Sequence, residues 1–575
     1  MFIKTTKANG YEYIKLVESF RDGGSTKHKV LYNFGRADMI KNDESFLRIV
    51  RRLCEIAELP LSGNHNDSDG KDIFDDCNEA ELFNYGYLAY LKLWQELDIE
   101  ACLERVQHFS KVTFSVPNTV FLMAIQHLLN PRSKLSTFSH QGQYFNMSQI
   151  PLHHMYRTLD RLADNKEQIE SGLFEHNYVR IHKEVDVVFY DVTTISFESV
   201  VADELRNFGY SKECKFNEVQ VVMGMIIDSY GIPVGYELFP GNTFDGKTMV
   251  EALKNIKNRF GINRVIIVAD RGINSKGNLK LIKEAGYGYI MASKIRGMSA
   301  AMQKRILNTD DFILTREKSV EAGFKYKVIS HENTFTDENN EKHTLAENLI
   351  ISFSPKRAKK DAADRARLVA KAEKLLEHPE KISAGDKRGG KKYLNKADPK
   401  KAETWTLAIE KIKKDAEFDG YYGIQSSEKE LTALEVIDAY KMLWKIEESF
   451  RIMKTTLEVQ PVFHWTEKRI RGHFVVCFLA FLMERKMERL FCDDSENKDN
   501  PSPNNIREAL LSMQLVSVSA GGSEMYIKAK PTSLAKQIFR KLKIPMPSNI
   551  NTKDDLHSLY LSQDMSESMQ QLMLY

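Results

Sequence analysis

The sequence predicts an α/β protein of several domains, and three observations support this prediction. The chain has 575 residues, more than a single hydrophobic core usually organises. Between residues 185 and 292, short and nearly continuous apolar runs alternate with helical periodicity, as expected for a buried sheet with flanking helices. A long basic segment later in the chain interrupts this pattern. We therefore expect a mixed sheet interrupted by an insertion and flanked by regions of different character.

Composition excludes several classes of protein. Hydrophobic residues make up 42% of the chain and charged residues 28%, the balance of a globular protein rather than a disordered one. The longest apolar run, residues 474–483, is too short to span a membrane, and the N-terminus lacks the apolar core of a signal peptide. The cysteines form no C-x-x-C pair and show no clustering with histidine, so neither disulfides nor structural zinc is expected. These features predict a soluble cytoplasmic protein with no membrane partner.

The first 180 residues are predicted to form two regions. Residues 1–60 form a β-hairpin region, because two alternating segments flank the turn-forming residues 22–24. A polar linker at 62–71 begins the helical region 61–180, in which apolar residues recur at three- and four-residue steps. We expect this helical region to bind DNA, and a plain helical connector is the alternative.

The periodicity of apolar residues changes from helical to strand-like after residue 180, and this change marks the predicted core. Its elements follow in the order β-β-β-α-β-α-β, with strands at 185–190, 219–227, 233–239, 265–269 and 289–292 and helices at 248–260 and 276–285. A meander of three strands followed by alternating helices and strands is the order of a ribonuclease H-like fold. We assign residues 181–295 to the first part of this core and residues 431–490 to its closing helices.

The segment between these two parts has a different character. Short strands within residues 296–430 precede a basic stretch, and we interpret this segment as a β-rich and basic domain inserted into the core. A wholly separate domain is the alternative. Residues 491–575 return to a mainly helical pattern and are the candidate contact for dimerisation.

The net charge of +3 is unevenly distributed along the chain. From Lys356 to Lys401 there are 16 Lys and Arg residues against 7 Asp and Glu, so this segment carries +9. Concentrated positive charge is typical of a protein with a nucleic-acid partner. A solvated charged helix explains the same composition, so charge alone leaves both interpretations open.

Two apolar strands of the predicted core end in an aspartate. The first run is followed by Asp191, in the segment YDVTT, and the second by Asp270, in the segment VADRG. Sites in open α/β sheets form at the carboxyl ends of strands, and paired carboxylates suit Mg²⁺ or Mn²⁺. Aspartates at strand ends also cap the helices that follow, which is the alternative for either residue alone.

A third carboxylate lies on the predicted helix 431–458. Glu447 shares a helical stripe with Tyr440, Leu443, Arg451 and Lys454, at the edge of the face that packs on the sheet. From this edge a carboxylate can reach the ends of the two strands. A solvated glutamate paired with Arg451, four residues later, is the alternative. Glu448 points away from this stripe, and Trp444 is expected on the packing side of the helix.

These motifs together resemble the DDE transposases of bacterial insertion sequences. The resemblance rests on YDVTT, VADRG and the pattern Y-x₂-L-W-K-I-E-x₆-K, and it extends to NPRSKL, GIPVGYELFPGNTFD, DGYYGI and RIRGHF. It is closest to the branch whose last helix carries Tyr, two residues, Arg, three residues, Glu, six residues and Lys. Tyr440, Glu447 and Lys454 match that spacing, whereas Leu443 stands in the place of the arginine.

The resemblance implies a chemistry and a set of roles. Asp191, Asp270 and Glu447 would be catalytic and would hold two Mg²⁺ or Mn²⁺ ions that support phosphodiester cleavage and joining. The remaining residues would contact DNA, some of them through phosphates: Tyr440, Lys454, Arg451, Thr193, Thr194 and Arg271. For Thr193 and Thr194, orienting Asp191 is the alternative role. Arg271 pairing with a structural carboxylate is the alternative for that residue.

The resemblance also implies partners and competing functions. A transposase would bind the terminal inverted repeats of its element and target DNA as a homodimer, in the bacterial cytoplasm and on the nucleoid. A ribonuclease H-like nuclease without strand transfer and an inactive DNA-binding relative are the alternatives. A phosphohydrolase of the D-x-D-x-T type is disfavoured, because Thr193 stands where that motif needs its second aspartate.

Overall fold

The computed structural model describes residues 2–8, 10–22, 25–40, 50, 52, 81–108, 112–181, 185, 187–209, 217–243, 245–262, 265–270, 272–314, 323–336, 340–378, 382, 389–396, 405–459, 462, 464–492, 500–520 and 523–560. The chain divides into two compact units. One is formed by Met1–Ile181 together with Arg451–Tyr575, and the other by His182–Phe450.

An antiparallel three-stranded sheet opens the first unit. It consists of β1 (Phe2–Ala8), β2 (Tyr11–Asp22) and β3 (Ser25–Arg36), and the short helix α1 (Ala37–Ile40) follows. The expected hairpin corresponds to β2 and β3, and β1 pairs with the other edge of β2. Gly23, Gly24 and the predicted linker 62–71 lie outside the described residues.

Helices dominate the next part of this unit. The elements are β4 (Leu82–Asn84), α2 (Leu88–Glu96), α3 (Ile99–His108), α4 (Val116–Leu129), α5 (Lys134–His140), α6 (Leu152–Asp164) and α7 (Lys166–Phe174), with a π-helical turn at Glu175–Val179. The Ser115 side chain caps α4 by accepting from the Asn118 N–H, and Pro117 fits its first turn. Every residue of α4 is buried, so this helix lies inside the unit.

The second unit is built on one large sheet. Its strands are β5 (Val187–Ser196), β6 (Gln220–Asp228), β7 (Pro233–Pro240), β8 (Ile266–Ala269), β9 (Gly288–Ala292), β10 (Ile313–Leu314), β11 (Lys325–Thr336), β12 (Lys342–Phe353) and β15 (Tyr421–Ser426). A separate ribbon pairs β13 (Leu394–Lys396) with β14 (Trp405–Leu407).

Seven helices accompany these strands in the described residues. They are α8 (Asp245–Phe260), α9 (Lys276–Glu284), α10 (Ala300–Leu307), α11 (Pro355–Leu376), α12 (Ile409–Glu417), α13 (Ala433–Lys441) and α14 (Trp444–Arg451). Helix α13 begins at a capping box formed by Thr432 and Glu435, and it packs against β8, β9 and β15.

The large sheet is mixed, as expected. Its strand order is β10-β11-β12-β15-β9-β8-β5-β6-β7. The pairs β5–β8 and β8–β9 are parallel, whereas β6 and β7 continue from β5 as an antiparallel meander. All nine residues of β6 are buried, which explains why its sequence is a continuous apolar run without alternation.

Four strands of the predicted insertion join the large sheet, and among its described residues only β13 and β14 form a separate ribbon. Strand β15 pairs antiparallel with β9, and β12 and β11 continue outward from it, so these strands extend the same sheet. The basic segment begins as helix α11 directly after β12. The segment 296–430 therefore shares its sheet with the strands of 181–295.

The chain completes the first unit after residue 450. A π-helical turn at Ile452–Thr456 precedes α15 (Glu467–Arg489), α16 (Pro503–Leu511), β16 (Gln514–Ala520), β17 (Ser523–Lys528), α17 (Ser533–Lys541), β18 (Ile550–Thr552) and α18 (Lys553–Tyr560). Strands β16, β17 and β18 form a sheet with β4. Helix α15 packs on α4 and α6, and its apolar run 474–483 is fully buried in this unit. In the described part of the chain, the search for a helix long and apolar enough to cross a membrane finds none.

Candidate active site

Asp191 and Asp270 occupy equivalent positions on neighbouring strands. The parallel register pairs Phe189 of β5 with Val268 of β8, and each aspartate lies two residues beyond its paired residue. Adjacent strands of a sheet lie about 4.8 Å apart, so the register brings the two carboxylates to one edge of the sheet. Both side chains are partly buried. The prediction that each strand ends at its aspartate holds for Asp270, which follows β8, but is wrong for Asp191, which lies within β5 because this strand continues to Ser196.

The residues around Asp191 belong to the inner part of the sheet. Asp191 Oδ1 accepts a hydrogen bond of 2.8 Å from the Val192 N–H. Thr193 and Thr194 follow on β5, and both side chains are buried, at 8% and 9% exposure. Their burial favours a role in the sheet around Asp191 over direct access from solvent. Arg271, the residue after Asp270, lies outside the described residues.

A pair of tyrosines connects Asp270 to the closing helices. The Tyr440 hydroxyl at the end of α13 donates to Asp270 Oδ1 at 3.3 Å, and the Tyr422 hydroxyl on β15 donates to Tyr440 at 2.7 Å. Burial, the hydrogen bond from Tyr422 and the nearby Asp270 charge raise the pKa of Tyr440 far above its ordinary value. Tyr440 therefore stays protonated at neutral pH and acts as a donor to the carboxylate.

Asp270 and Glu447 line one cleft of about 620 Å³. Tyr440, Leu443 and Trp444 also line it. Three members of the predicted helical stripe, Tyr440, Leu443 and Glu447, therefore face the same space. Glu447 is exposed, which leaves its carboxylate accessible to a ligand. Leu443 is buried and contributes an apolar wall where the resemblance would place an arginine.

The predicted continuous helix 431–458 is interrupted. Helix α13 ends at Lys441, α14 runs from Trp444 to Arg451, and a π-helical turn follows. The expectation that Trp444 is a core residue is wrong, because its side chain is 51% exposed in the cleft. Arg451 is exposed and Lys454 is half-buried, and both belong to the first compact unit rather than to the unit that contains the cleft.

The three carboxylates do not form a tight cluster. Among the described residues, a group of three His, Cys, Asp or Glu side chains with ligand atoms all within 4.8 Å of one another occurs at His127, His473 and Cys477 and not at the carboxylates. Their oxygen-rich chemistry nevertheless fits a hard divalent cation.

The histidine–cysteine group corrects a sequence expectation. Cys477 Sγ lies 3.5 Å from His473 Nε2, so cysteine does cluster with histidine in the first unit. Lys134 Nζ lies 3.1 Å from His127 Nε2, which places an ammonium among the ring nitrogens. Burial lowers the pKa of Lys134 to about 8 and raises that of Cys477 to about 12. A cation already in the cluster and a protonated thiol argue for a structural role and against a zinc site.

Two residues of the cleft were not identified from the sequence. Arg357 and Tyr422 both line it, beside Asp270 and Glu447. Tyr422 lies in the DGYYGI motif, which was one of the segments that carried the resemblance. Arg357 is one of many cations in the basic segment, and nothing in its spacing sets it apart from its neighbours.

Comparisons with known proteins identify a family for most of the second unit. Residues 183–483 match the family model described as the transposase DDE domain, and residues 3–59 match that of the IS1634 family transposase, N-terminal domain. No curated protein matches the chain. Among solved structures, a piggyBac transposase synaptic complex with hairpin DNA is similar at 9% identity and a TM-score of 0.34, covering 85% of this chain and 90% of that one.

Proposed function

The chain belongs to the DDE transposase family, and we propose that it cuts DNA at the terminal inverted repeats of its own insertion sequence and joins the 3′-OH ends to target DNA. The observation that carries this proposal is the shared register of Asp191 and Asp270, with Asp270 and Glu447 lining one cleft. Two carboxylates from neighbouring strands and one from a helix would form a site suited to phosphodiester chemistry.

The fold of the second unit supports the proposal. The five strands β9-β8-β5-β6-β7 combine a parallel trio with an antiparallel meander. We assign these strands to a ribonuclease H-like core, with α13 and α14 as its closing helices; the rest of the predicted closing segment 431–490, from residue 451 on, belongs to the first unit. The strands β10, β11, β12 and β15 then form the insertion as an extension of this sheet.

We propose Mg²⁺ or Mn²⁺, two ions per site, as the cofactor held by Asp191, Asp270 and Glu447. The donor set fits such ions, since every donor is a carboxylate oxygen and two of the three come from one sheet edge. Two bound ions supply an activated water, a stabilised leaving oxygen and a neutralised phosphate. Tyr440 keeps Asp270 oriented toward the cleft and stays neutral because its pKa is raised.

The other predicted site residues take DNA-binding roles in this proposal. Lys454 and Arg451 would contact phosphates, as would Arg271. Thr193 and Thr194 would orient Asp191, since both are buried on its strand. Two DNA ends require two protomers, so the active species is a homodimer that acts on the bacterial nucleoid, with the C-terminal helices as its contact. Sedimentation of the protein on paired ends as a monomer would contradict this.

The test uses labelled DNA that carries the inverted repeats flanking the gene, with Mg²⁺ or Mn²⁺ and no ATP. We expect nicks at the repeat ends and joined products from the wild type, and neither from Glu447→Gln, Asp191→Asn or Asp270→Asn, although all three still bind DNA. Glu448→Gln is the matched control, because this neighbour of Glu447 does not line the cleft. We expect it to cut and join like the wild type.

The same assay separates the alternatives. Cutting without joining would identify a nuclease that lacks strand transfer. Binding without cutting by the wild type would identify a DNA-binding relative. Equal activity of the wild type and the three carboxylate variants would overturn the proposed site.

A further inference from the structure

Arg357 lies where two clefts of the second unit meet. It lines the cleft that contains Asp270 and Glu447, and it also lines a neighbouring cleft of about 310 Å³ together with Lys294 and Arg296. Lys294 and Arg296 are exposed. A polyanionic strand that leaves the carboxylates would therefore meet positive charge at Arg357 and again beyond it.

The Arg357 side chain is held by stacking. Its guanidinium carbon lies 4.3 Å from the centre of the Tyr422 ring. Tyr422 donates in turn to Tyr440, which donates to Asp270. A guanidinium that stacks by its face still presents N–H donors along its edges, the arrangement that suits a phosphate.

The start of helix α11 is fixed to the sheet, and this fixes the position of Arg357. The Ser354 N–H donates to the Gly420 carbonyl at 3.1 Å, and the Gly420 N–H donates to Asp361 at 3.1 Å. Gly420 has a φ of +82°, and a Cβ at this position would come within 2.9 Å of the Ser354 oxygen. Only glycine allows this close approach, so the turn before β15 and the helix start act as one support.

The charges of the first cleft single out Arg357. Arg357 and Lys441 are its cations, among the described residues that line it. Lys441 Nζ lies 2.9 Å from Asp438, whereas Arg357 Nε is 3.7 Å from Asp361, and the two side chains are similarly exposed, at 52% and 46%. Arg357 is thus the less tightly paired of the two cations.

We propose that Arg357 binds a DNA phosphate next to the one that is cut, and that the strand continues from it into the second cleft over Lys294 and Arg296. This inference rests on the proposed function. It assigns a substrate contact to the inserted segment. It also explains how the cleft holds a DNA backbone although two carboxylates repel the phosphates and Leu443 offers only an apolar wall.

The experiment combines Arg357→Ala with DNA in which single phosphates are neutralised. Methylphosphonates replace each phosphate flanking the cleavage position in turn, and affinity and cutting are measured for every combination. In the wild type we expect one neutralised position to weaken binding about tenfold, and in Arg357→Ala we expect that position to have little further effect. The slope of log K against log salt should also become shallower by about 1 in the variant.

Two variants guard against indirect effects. Arg305→Ala removes an exposed arginine of the same unit that lines neither cleft, so its effect should add to that of every neutralised phosphate. Arg357→Lys keeps the positive charge, so part of the coupling between residue 357 and the neutralised phosphate should remain. Independent, additive effects of Arg357→Ala at every phosphate would overturn the contact while leaving the transposase intact. Failure of the wild type to cut the repeats would overturn both the proposed function and the contact.

Discussion

The Tyr440 hydroxyl lies 3.3 Å from Asp270 Oδ1, so the end of helix α13 holds the carboxylate that ends strand β8. The bond links two parts of the chain that are 170 residues apart. It ties the closing helices to the strand end, and it gives the seven-residue spacing between Tyr440 and Glu447 a structural meaning. Tyr440 orients Asp270, and Glu447 supplies the third carboxylate.

Removal of the Tyr440 hydroxyl should impair DNA cutting without unfolding the protein. In Tyr440→Phe the Asp270 carboxylate loses a hydrogen bond from a neutral donor, which costs about 1 kcal/mol. We expect cutting of the repeat ends to slow about five- to tenfold at unchanged DNA affinity. Tyr422→Phe, which removes the donor to Tyr440, should have a smaller effect in the same direction. Single-turnover cleavage assays measure both, and wild-type rates in Tyr440→Phe would contradict the orienting role.

The basic segment should account for much of the salt dependence of binding. Helix α11 carries exposed Lys and Arg residues along its length, and the segment as a whole holds a net +9. Replacement of its Lys and Arg residues by Gln, with Arg357 kept, should flatten the slope of log K against log salt. Titrations of repeat DNA at several salt concentrations measure this slope. An unchanged slope would remove the segment from the DNA surface.

The buried histidines of the first unit should make the protein sensitive to acid. Burial beside Lys134 lowers the pKa of His127 and of His464 to about 3 and that of His473 well below 6.5. The unfolded chain takes up protons on these rings near pH 6.5, whereas the folded chain does not, so stability falls as the pH drops from 6.5 toward 3. Urea unfolding between pH 7 and 4 should show this loss.

His464→Gln provides the matched comparison, because glutamine cannot be protonated in this range. We expect its free energy of unfolding to fall less steeply with decreasing pH than that of the wild type. Parallel pH curves for the two proteins would show that His464 is not neutral in the fold.

Helix α15 should tolerate no side chain at Gly472. A Cβ there would lie 2.0 Å from the Leu159 carbonyl oxygen, so the backbones of α15 and α6 would have to separate. We expect Gly472→Ala to destabilise the protein by about 1–3 kcal/mol. Gly277→Ala, on helix α9 with nothing within 4 Å of its Cβ, should be neutral or slightly stabilising. Denaturant unfolding of both variants tests this difference, and an equally stable Gly472→Ala would contradict the packing.

The sequence allowed two aspartates on neighbouring strands to be predicted because local signals specify them, although Asp191 lies within β5 rather than at its end. Asp191 and Asp270 each follow an apolar run, and the parallel pairing of β5 with β8 brings them to equivalent positions. Glu447 was predicted from helical spacing, and the cleft contains it together with Tyr440 and Leu443. These features depend on the periodicity of apolar residues and on the order of strands and helices, and both can be recognised in a single sequence.

Features that depend on contacts between distant segments were not predictable in this way. The pairing of β15 with β9 joins the inserted strands to the core sheet, and no local pattern encodes the partner of an edge strand. His127 and Cys477 are far apart in the chain, so their approach was missed. Trp444 was misplaced because the helix breaks after Lys441 and its face turns toward the cleft.

The most direct test of the central claim is metal rescue at the paired aspartates. Asp191→Cys and Asp270→Cys replace an oxygen donor by sulfur, which binds Mg²⁺ poorly and Mn²⁺ better. If both residues hold the ions, each variant is inactive on repeat DNA with Mg²⁺ and regains cutting with Mn²⁺, whereas Asp191→Ala and Asp270→Ala stay inactive with either ion. Full activity of the cysteine variants with Mg²⁺, or no recovery with Mn²⁺ in folded protein that still binds DNA, would contradict the account.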